Sequence, residues 1–223
     1  MANVVVFAPH PDDETLGCGA TLLKHLTEGD QVSWVIVTRM TEQMGFDADR
    51  QAKRQDEIKQ VAAAYGFHQV FELGFPVAEL DQVGMKNLVG ACSEVVQQTQ
   101  ANVLYLPYRG DAHSDHAYVY DAVAACTKNF RYPAVQSVRV YETLSETGFG
   151  LSTQDTGFKP NLWVDVSDHM EQKVEIMRCY ASELAEHPFP RSEKSIRALA
   201  TLRGADINQI AAEAFMSVKE VVV

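Results

Sequence analysis

Val4-Val5-Val6-Phe7 runs directly into Ala8-Pro9-His10-Pro11-Asp12-Asp13-Glu14. The apolar run is unbroken rather than alternating, as expected of a strand covered on both faces. The polar stretch after it brings an imidazole and three carboxylates to the point where that strand must end. Open α/β sheets keep their functional groups at this end of their strands. A similar pairing occurs further on, where Val103-Leu104-Tyr105-Leu106 precedes His113-Ser114-Asp115-His116. Two clusters of acids and imidazoles at two strand tips predict one metal site built from two loops.

Working outward, apolar runs alternate with longer amphipathic segments. Strands are expected at 3–8, 32–38, 70–73, 102–107, 137–143 and 162–166. Helices are expected at 13–28, 47–65, 85–99 and 116–129, with Gly29 and Gly66 where helix C-caps fall. This order implies βαβ crossovers, hence an α/β fold: a Rossmann-like three-layer sandwich around a mostly parallel sheet. The last third changes character. Residues 145–161 read as a long irregular loop, and helices are expected at 168–184, 192–202 and 208–219. The prolines of His187-Pro188-Phe189-Pro190 separate the first two of these helices.

The 223 residues suffice for one domain with a full core, and 46% hydrophobic with 22% charged residues is ordinary for a globular chain. A net charge of −11 argues against nucleic acid or an anionic membrane as the main partner. It leaves room for an anionic small substrate, which needs only a local arginine. No apolar stretch approaches the roughly 20 residues of a membrane span, and no secretion signal is evident. A cytoplasmic protein without membrane insertion is expected. Cys18, Cys92, Cys126 and Cys179 are widely spaced in helix-patterned segments, as reduced apolar side chains would be.

His10 and Asp13 are three residues apart, a spacing that shares one face if the chain turns into a helix. Both would then reach one ion and leave the Asp12 carboxylate beside it. Imidazole with carboxylate suits zinc or another first-row divalent ion better than magnesium. The competing reading is an ordinary helix start, with acids near the positive end of the dipole. His113 and His116 repeat the spacing. One can be a ligand and the other can face a reacting carbonyl, while Asp115 orients an imidazole. The competing reading there is a polar loop with an N-cap at Ser114 or Asp115. A magnesium-binding receiver domain also carries paired acids after its first strand. It would need an Asp after the third strand and a Lys after the fifth, where this chain has Gly74-Phe75-Pro76 and Thr143-Leu144-Ser145.

At these clusters the chain resembles the LmbE-like/PIG-L family of zinc-dependent de-N-acetylases. The likeness extends to Arg54-Gln55-Asp56-Glu57, Tyr141-Glu142-Thr143, Lys159-Pro160-Asn161, Pro190-Arg191-Ser192, Arg203-Gly204 and Ala212-Glu213-Ala214-Phe215. One departure is Ala20, where relatives often carry glycine. The resemblance implies zinc ligands at His10, Asp13 and His116, a general base at Asp12, and an auxiliary histidine at His113 partnered by Asp115. It implies hydrolysis of the N-acetyl group of an N-acetylglucosamine-type conjugate, and a trimeric or hexameric homo-oligomer. The family counterpart of Arg54 faces the site, and by their place along the chain Asp81, Arg109 and Glu142 are further candidates for substrate contact, with Glu79, Tyr141, Asn161 and Arg191 weaker and Asp111 in a supporting role. Arg54 has an equal alternative as a helix arginine paired with Asp56 or Glu57. Two other readings remain: a hydrolase of a non-sugar amide, and a non-catalytic module that binds metal or sugar.

Overall fold

The computed structural model describes residues 1–151 and 156–222. Strand β1 (Asn3–Ala8) leads through helix α1 (Asp13–Thr27) to β2 (Gln31–Arg39). Helix α2 (Ala48–Tyr65) connects to β3 (Gln69–Pro76), and α3 (Leu80–Val83) and α4 (Met85–Thr99) connect to β4 (Val103–Pro107). Helix α5 (Ser114–Ala125) precedes β5 (Ser137–Tyr141). Then come β6 (Leu162–Asp165), α6 (Met170–Met177), α7 (Glu193–Ala205) and β7 (Ala212–Glu220). Among the described residues these strands form one seven-stranded sheet in the order β3-β2-β1-β4-β5-β7-β6. The first five strands are parallel, and β7 runs antiparallel between β5 and β6.

Strand β1 explains the layering. Val4, Val6 and Ala8 pack into a core with residues of α1, α2, α6 and α7, while Val5 and Phe7 pack into the other core under α4 and α5. Alternate side chains of a strand face opposite ways, so a strand buried on both sides has no polar face. Since β2 and β4 flank β1, the chain leaves β1 in opposite directions across the sheet. The C-terminal ends of β1 and β4 therefore border the crevice of a topological switch point.

One segment departs from the sequence reading. Residues 208–219, expected as a helix, form β7 instead. Ala212-Glu213-Ala214-Phe215-Met216 has helix-forming side chains, but β5 and β6 both offer an edge to pair with. Hydrogen bonding on two sides outweighs a helix propensity of tenths of a kcal/mol per residue. The helix expected at 168–184 stops at Met177 and gives way to turns. In the expected loop at 145–161, Thr147–Phe149 forms a 3-10 turn, and 152–155 lie outside the described residues. All four cysteines are free thiols.

Helix α1 bends at Cys18, whose backbone is not helical. The bend frees backbone groups in the interior, and two side chains from distant elements bond them. Glu213 accepts the Ala20 and Thr21 N–H groups at 3.0 and 2.7 Å. Lys173 donates to Leu16 O at 2.9 Å and to Glu213 at 2.6 Å. Just before the bend, the ring of Tyr141 lies where a Gly17 side chain would be: an added Cβ would sit 2.2 Å from its Cδ2.

Candidate metal centre

Both loops of the site are tied down by their own backbones. Thr38 at the end of β2 donates its N–H and its hydroxyl to Pro9 O, at 3.1 and 2.7 Å, which fixes the start of the His10 loop. Asp13 Oδ2 accepts the His10 N–H at 2.8 Å. Asp12, between them, is buried with φ 131°, a conformation that is strained for a non-glycine residue. On the second loop, His113 is the N-cap of α5 and its Nδ1 accepts the Asp115 N–H at 3.2 Å. The helix thus begins at Ser114, and its first turn carries His116 inward.

Asp13 Oδ2 lies 3.2 Å from His10 Nδ1 and 3.3 Å from His116 Nε2. The other nitrogen of each ring is held by an acid. His10 Nε2 is 3.0 Å from Asp115 Oδ2, and His116 Nδ1 is 2.7 Å from Asp111 Oδ2. A proton on the acid-facing nitrogen leaves a lone pair on the nitrogen facing Asp13. His116 Nε2 is buried with no hydrogen-bond partner among the described residues. Three donors around one tetrahedral ion, at bonds of about 2.0–2.2 Å, stand about 3.3–3.6 Å apart. The separations from Asp13 to the two rings match that spacing, and the set of two imidazoles and one carboxylate suits zinc or a similar ion. The residues therefore fit a divalent metal.

The electrostatics agree. Burial alone would make His10 hard to protonate, but Asp115 and Asp13 outweigh it and lift its pKa to about 9. His116 is likewise pushed up against its burial by Asp13 and Asp111. Burial opposes the charge on Asp13, yet His116 and His10 hold its carboxyl well below the usual range. Asp12 moves the other way: burial and the Asp13 charge push it up to about 7. His113, lowered by burial and by His10, favours its neutral form. His10, Asp13 and His116 thus sit in a field that favours positive charge, beside the Asp12 carboxyl, which burial and Asp13 push up to about 7.

Asp115 faces His10 rather than His113. Its Oδ2 accepts the Ala78 N–H at 2.8 Å and lies 3.8 Å from His113 Nδ1. Since His113 Nδ1 accepts a bond, a neutral His113 carries its proton on Nε2. Asp111 holds His116 and also accepts the Thr147 hydroxyl. Glu146 braces the same loop by accepting the His113 N–H at 3.1 Å. Thr147 and Glu146 were not singled out from the sequence, because nothing in local spacing links them to the histidines.

A cavity of about 390 Å³ opens over this cluster, lined by His10, Asp12, Asp13, His113, Glu146 and Arg54, among others. Of the other suggested substrate contacts, Arg191 also lines this cavity, and the rest are elsewhere. Asp81 is exposed on α3 and bonds Gln82. Arg109 pairs with Asp121 at 2.7 Å on an exposed surface. Glu142 is held by Arg203 at 2.7 Å, and Tyr141 is buried with its hydroxyl on Phe7 O. Asn161 bonds the Ser217 backbone, and Glu79 is exposed at the start of α3. Arg54 reaches the cavity wall but is engaged by Glu183, Glu57, Ser182 and Pro11 O.

The profile of the PIG-L family, described as GlcNAc-PI de-N-acetylase, matches residues 5–127, more than half of the chain. The chain belongs to the PIG-L family. The match spans both loops that carry the PIG-L member's His and Asp clusters. Over 218 residues the chain is 26% identical to the diacetylchitobiose deacetylase of Thermococcus kodakarensis, covering 92% of this chain and 78% of that protein. Among solved structures, the conserved protein TT1542 from Thermus thermophilus superposes with a TM-score of 0.78 at 22% identity, covering 100% of this chain and 97% of that one. The N,N'-diacetylchitobiose deacetylase from Pyrococcus horikoshii superposes with a TM-score of 0.75 at 21% identity, covering 97% and 83%. No helix among the described residues is long and apolar enough to cross a membrane.

Proposed function

We propose that this PIG-L member hydrolyses the N-acetyl group of an N-acetylglucosamine-type sugar conjugate, using a divalent metal held by His10, Asp13 and His116. The observation that carries the reading is the Asp13 carboxylate set 3.2 and 3.3 Å from two imidazoles, each backed by an acid, with buried Asp12 beside it. When bound, such an ion supplies Lewis acidity and lowers the pKa of water to about 7. Asp12 would take a proton as water attacks the amide carbon, and as the C–N bond breaks a proton would pass from Asp12 or His113 to the sugar nitrogen, leaving acetate and the free amine. His113 Nε2–H, which has no hydrogen-bond partner among the described residues, would donate to the oxygen that gains charge in the transition state. In this reading His113 is oriented through the Asp115 backbone N–H rather than by the Asp115 carboxylate. Asp115 and Asp111 orient His10 and His116. The cavity wall keeps the substrate against this row and limits water. Zinc is the metal we favour from the donor set, and the cytoplasm the compartment.

The test is metal analysis of the purified chain coupled to an acetate-release screen. The panel holds N-acetylglucosaminides with different aglycones and simple N-acyl amines. Acetate released from the sugars alone supports the proposal. Release from simple amides at equal rates favours a general amidase, and bound metal without any release favours a binding module.

A further inference from the structure

Asp12 is gripped from outside its own loop. Arg191, just before α7, donates from Nη1 to Asp12 Oδ2 at 3.4 Å, and its Nη2 lies 3.0 Å from Glu183 Oε2. Glu183 Oε1 accepts from Arg54 Nη2, and Arg54 Nη1 donates to Pro11 O at 2.9 Å. The row of alternating charges Arg54–Glu183–Arg191–Asp12 thus starts and ends on the same short loop. Ser182 fastens it further, giving its N–H and hydroxyl to Glu57 at 3.1 and 3.0 Å. Among the described residues no other side chain bonds the Asp12 carboxylate, and the one bond it receives is to Oδ2.

This arrangement has a mechanical meaning. The Asp12 backbone is in a strained conformation, so its side chain needs outside contacts to settle its direction. A guanidinium bridges two carboxylates in a fixed plane, which an ammonium on a flexible stem cannot copy. We propose that Arg191, backed by Glu183 and Arg54, is the positioning residue of Asp12: it pins Oδ2 and so presents Oδ1 to the reacting water. This rests on Asp12 being the proton acceptor. It also reassigns Arg54, which acts through the row and is not a substrate clamp.

The experiment uses the metal-loaded full chain with the best substrate of the acetate-release screen. Arg191→Ala, Arg191→Lys and Glu183→Gln are compared with wild type, and Arg197→Met, which breaks a surface pair with Glu171, is the control. Arg191→Ala is expected to lower kcat about 10²-fold, the cost of a misplacement near 1 Å. Its KM, metal content and melting temperature should stay near wild type. Glu183→Gln should lose less, Arg191→Lys should recover part of the rate, and millimolar guanidinium should partly rescue Arg191→Ala. An unchanged kcat overturns the proposal, as does a loss that follows metal content or folding. A loss confined to KM would make Arg191 a substrate contact instead, which also overturns it. If the loaded wild type releases no acetate from any substrate, the deacetylase reading fails. The pin is then decided by a urea-unfolding cycle of Asp12→Asn and Arg191→Ala: non-additive changes support it and additive changes overturn it. Should Arg191→Ala not fold, Arg191→Lys and Glu183→Gln carry the same comparison.

Discussion

The Asp111 carboxylate lies 2.7 Å from His116 Nδ1, on the far side of the ring from Asp13. It decides which nitrogen of His116 can bind a cation. Removing such an outer partner typically costs about 10- to 100-fold in metal affinity. Asp111→Asn should therefore give up its ion to a chelator at lower concentration than wild type, while His116→Ala should not retain it at all. Equilibrium competition followed by metal analysis reads both, and an Asp111→Asn variant as retentive as wild type would remove Asp111 from the site.

Asp12 and His113 should separate binding from turnover. Asp12→Asn keeps its metal and loses at least about 10²-fold in rate, the usual scale of a general-base contribution. His113→Ala also keeps its metal and loses roughly 10²- to 10³-fold, as for the loss of an oxyanion donor. Steady-state kinetics on samples of matched metal content provide the comparison. Normal turnover by either variant would contradict its role.

Gly17→Ala should destabilise the fold. The new Cβ would meet the buried Tyr141 ring, whose hydroxyl is anchored on Phe7 O at 2.8 Å. Overpacking of this kind costs about 1–3 kcal/mol. A lower urea midpoint at unchanged m-value is the expected signature, and equal midpoints would mean the helix shifts without penalty.

Lys173→Met would strand the Glu213 carboxylate in the interior, where Lys173 is its cationic partner. Breaking one side of a buried pair costs about 3–5 kcal/mol. Equilibrium unfolding measures it, and a loss below about 1 kcal/mol, the scale of surface pairs, would show the site to be hydrated.

At the opposite end of the sheet, His25 Nδ1 lies 2.8 Å from Asp30, and His25 Nε2 lies 3.0 Å from the Tyr105 hydroxyl. Burial pushes the His25 pKa down despite Asp30. Burial also opposes the charge on Asp30, but the Ala2 N–H and His25 outweigh it and hold that carboxyl below its usual value. Both folded-state values lie below their unfolded ones, so both contributions to stability are complete above about pH 6.5. They are lost on acidification, first through His25 and then, below about pH 4, through Asp30. The stability gap between wild type and His25→Gln should shrink as pH falls from 7 to 5. A gap that widens in that interval reverses the sign.

The layered sheet was legible because β1 is apolar at every position, and its two-sided burial follows directly. The His10 and His113 loops stood out in the sequence because His10 with Asp13, and His113 with His116, keep a spacing that local geometry can use. What escaped is long-range. Nothing near Asp12 announces that Arg191 will arrive from 179 residues away. Asp111 lies close to His116 in sequence, but only the fold shows that it takes the ring nitrogen. Residues 212–216 misled for the same reason: their side chains suit a helix, and the two strands that claim them are distant in sequence. Arg109 and Glu142 adjoin functional segments along the chain, yet in the fold each is spent on a partner away from the cavity.

The bend in α1 has a consequence for how the chain is born. Its freed amides at Ala20 and Thr21 are bonded by Glu213, a residue made 193 and 192 positions after them. During synthesis the first helix can therefore form but cannot lock until β7 leaves the ribosome and inserts. Ribosome-stalled chains ending before Ala212 should leave the amino-terminal helix open to proteolysis, and chains extended through Glu220 should close it.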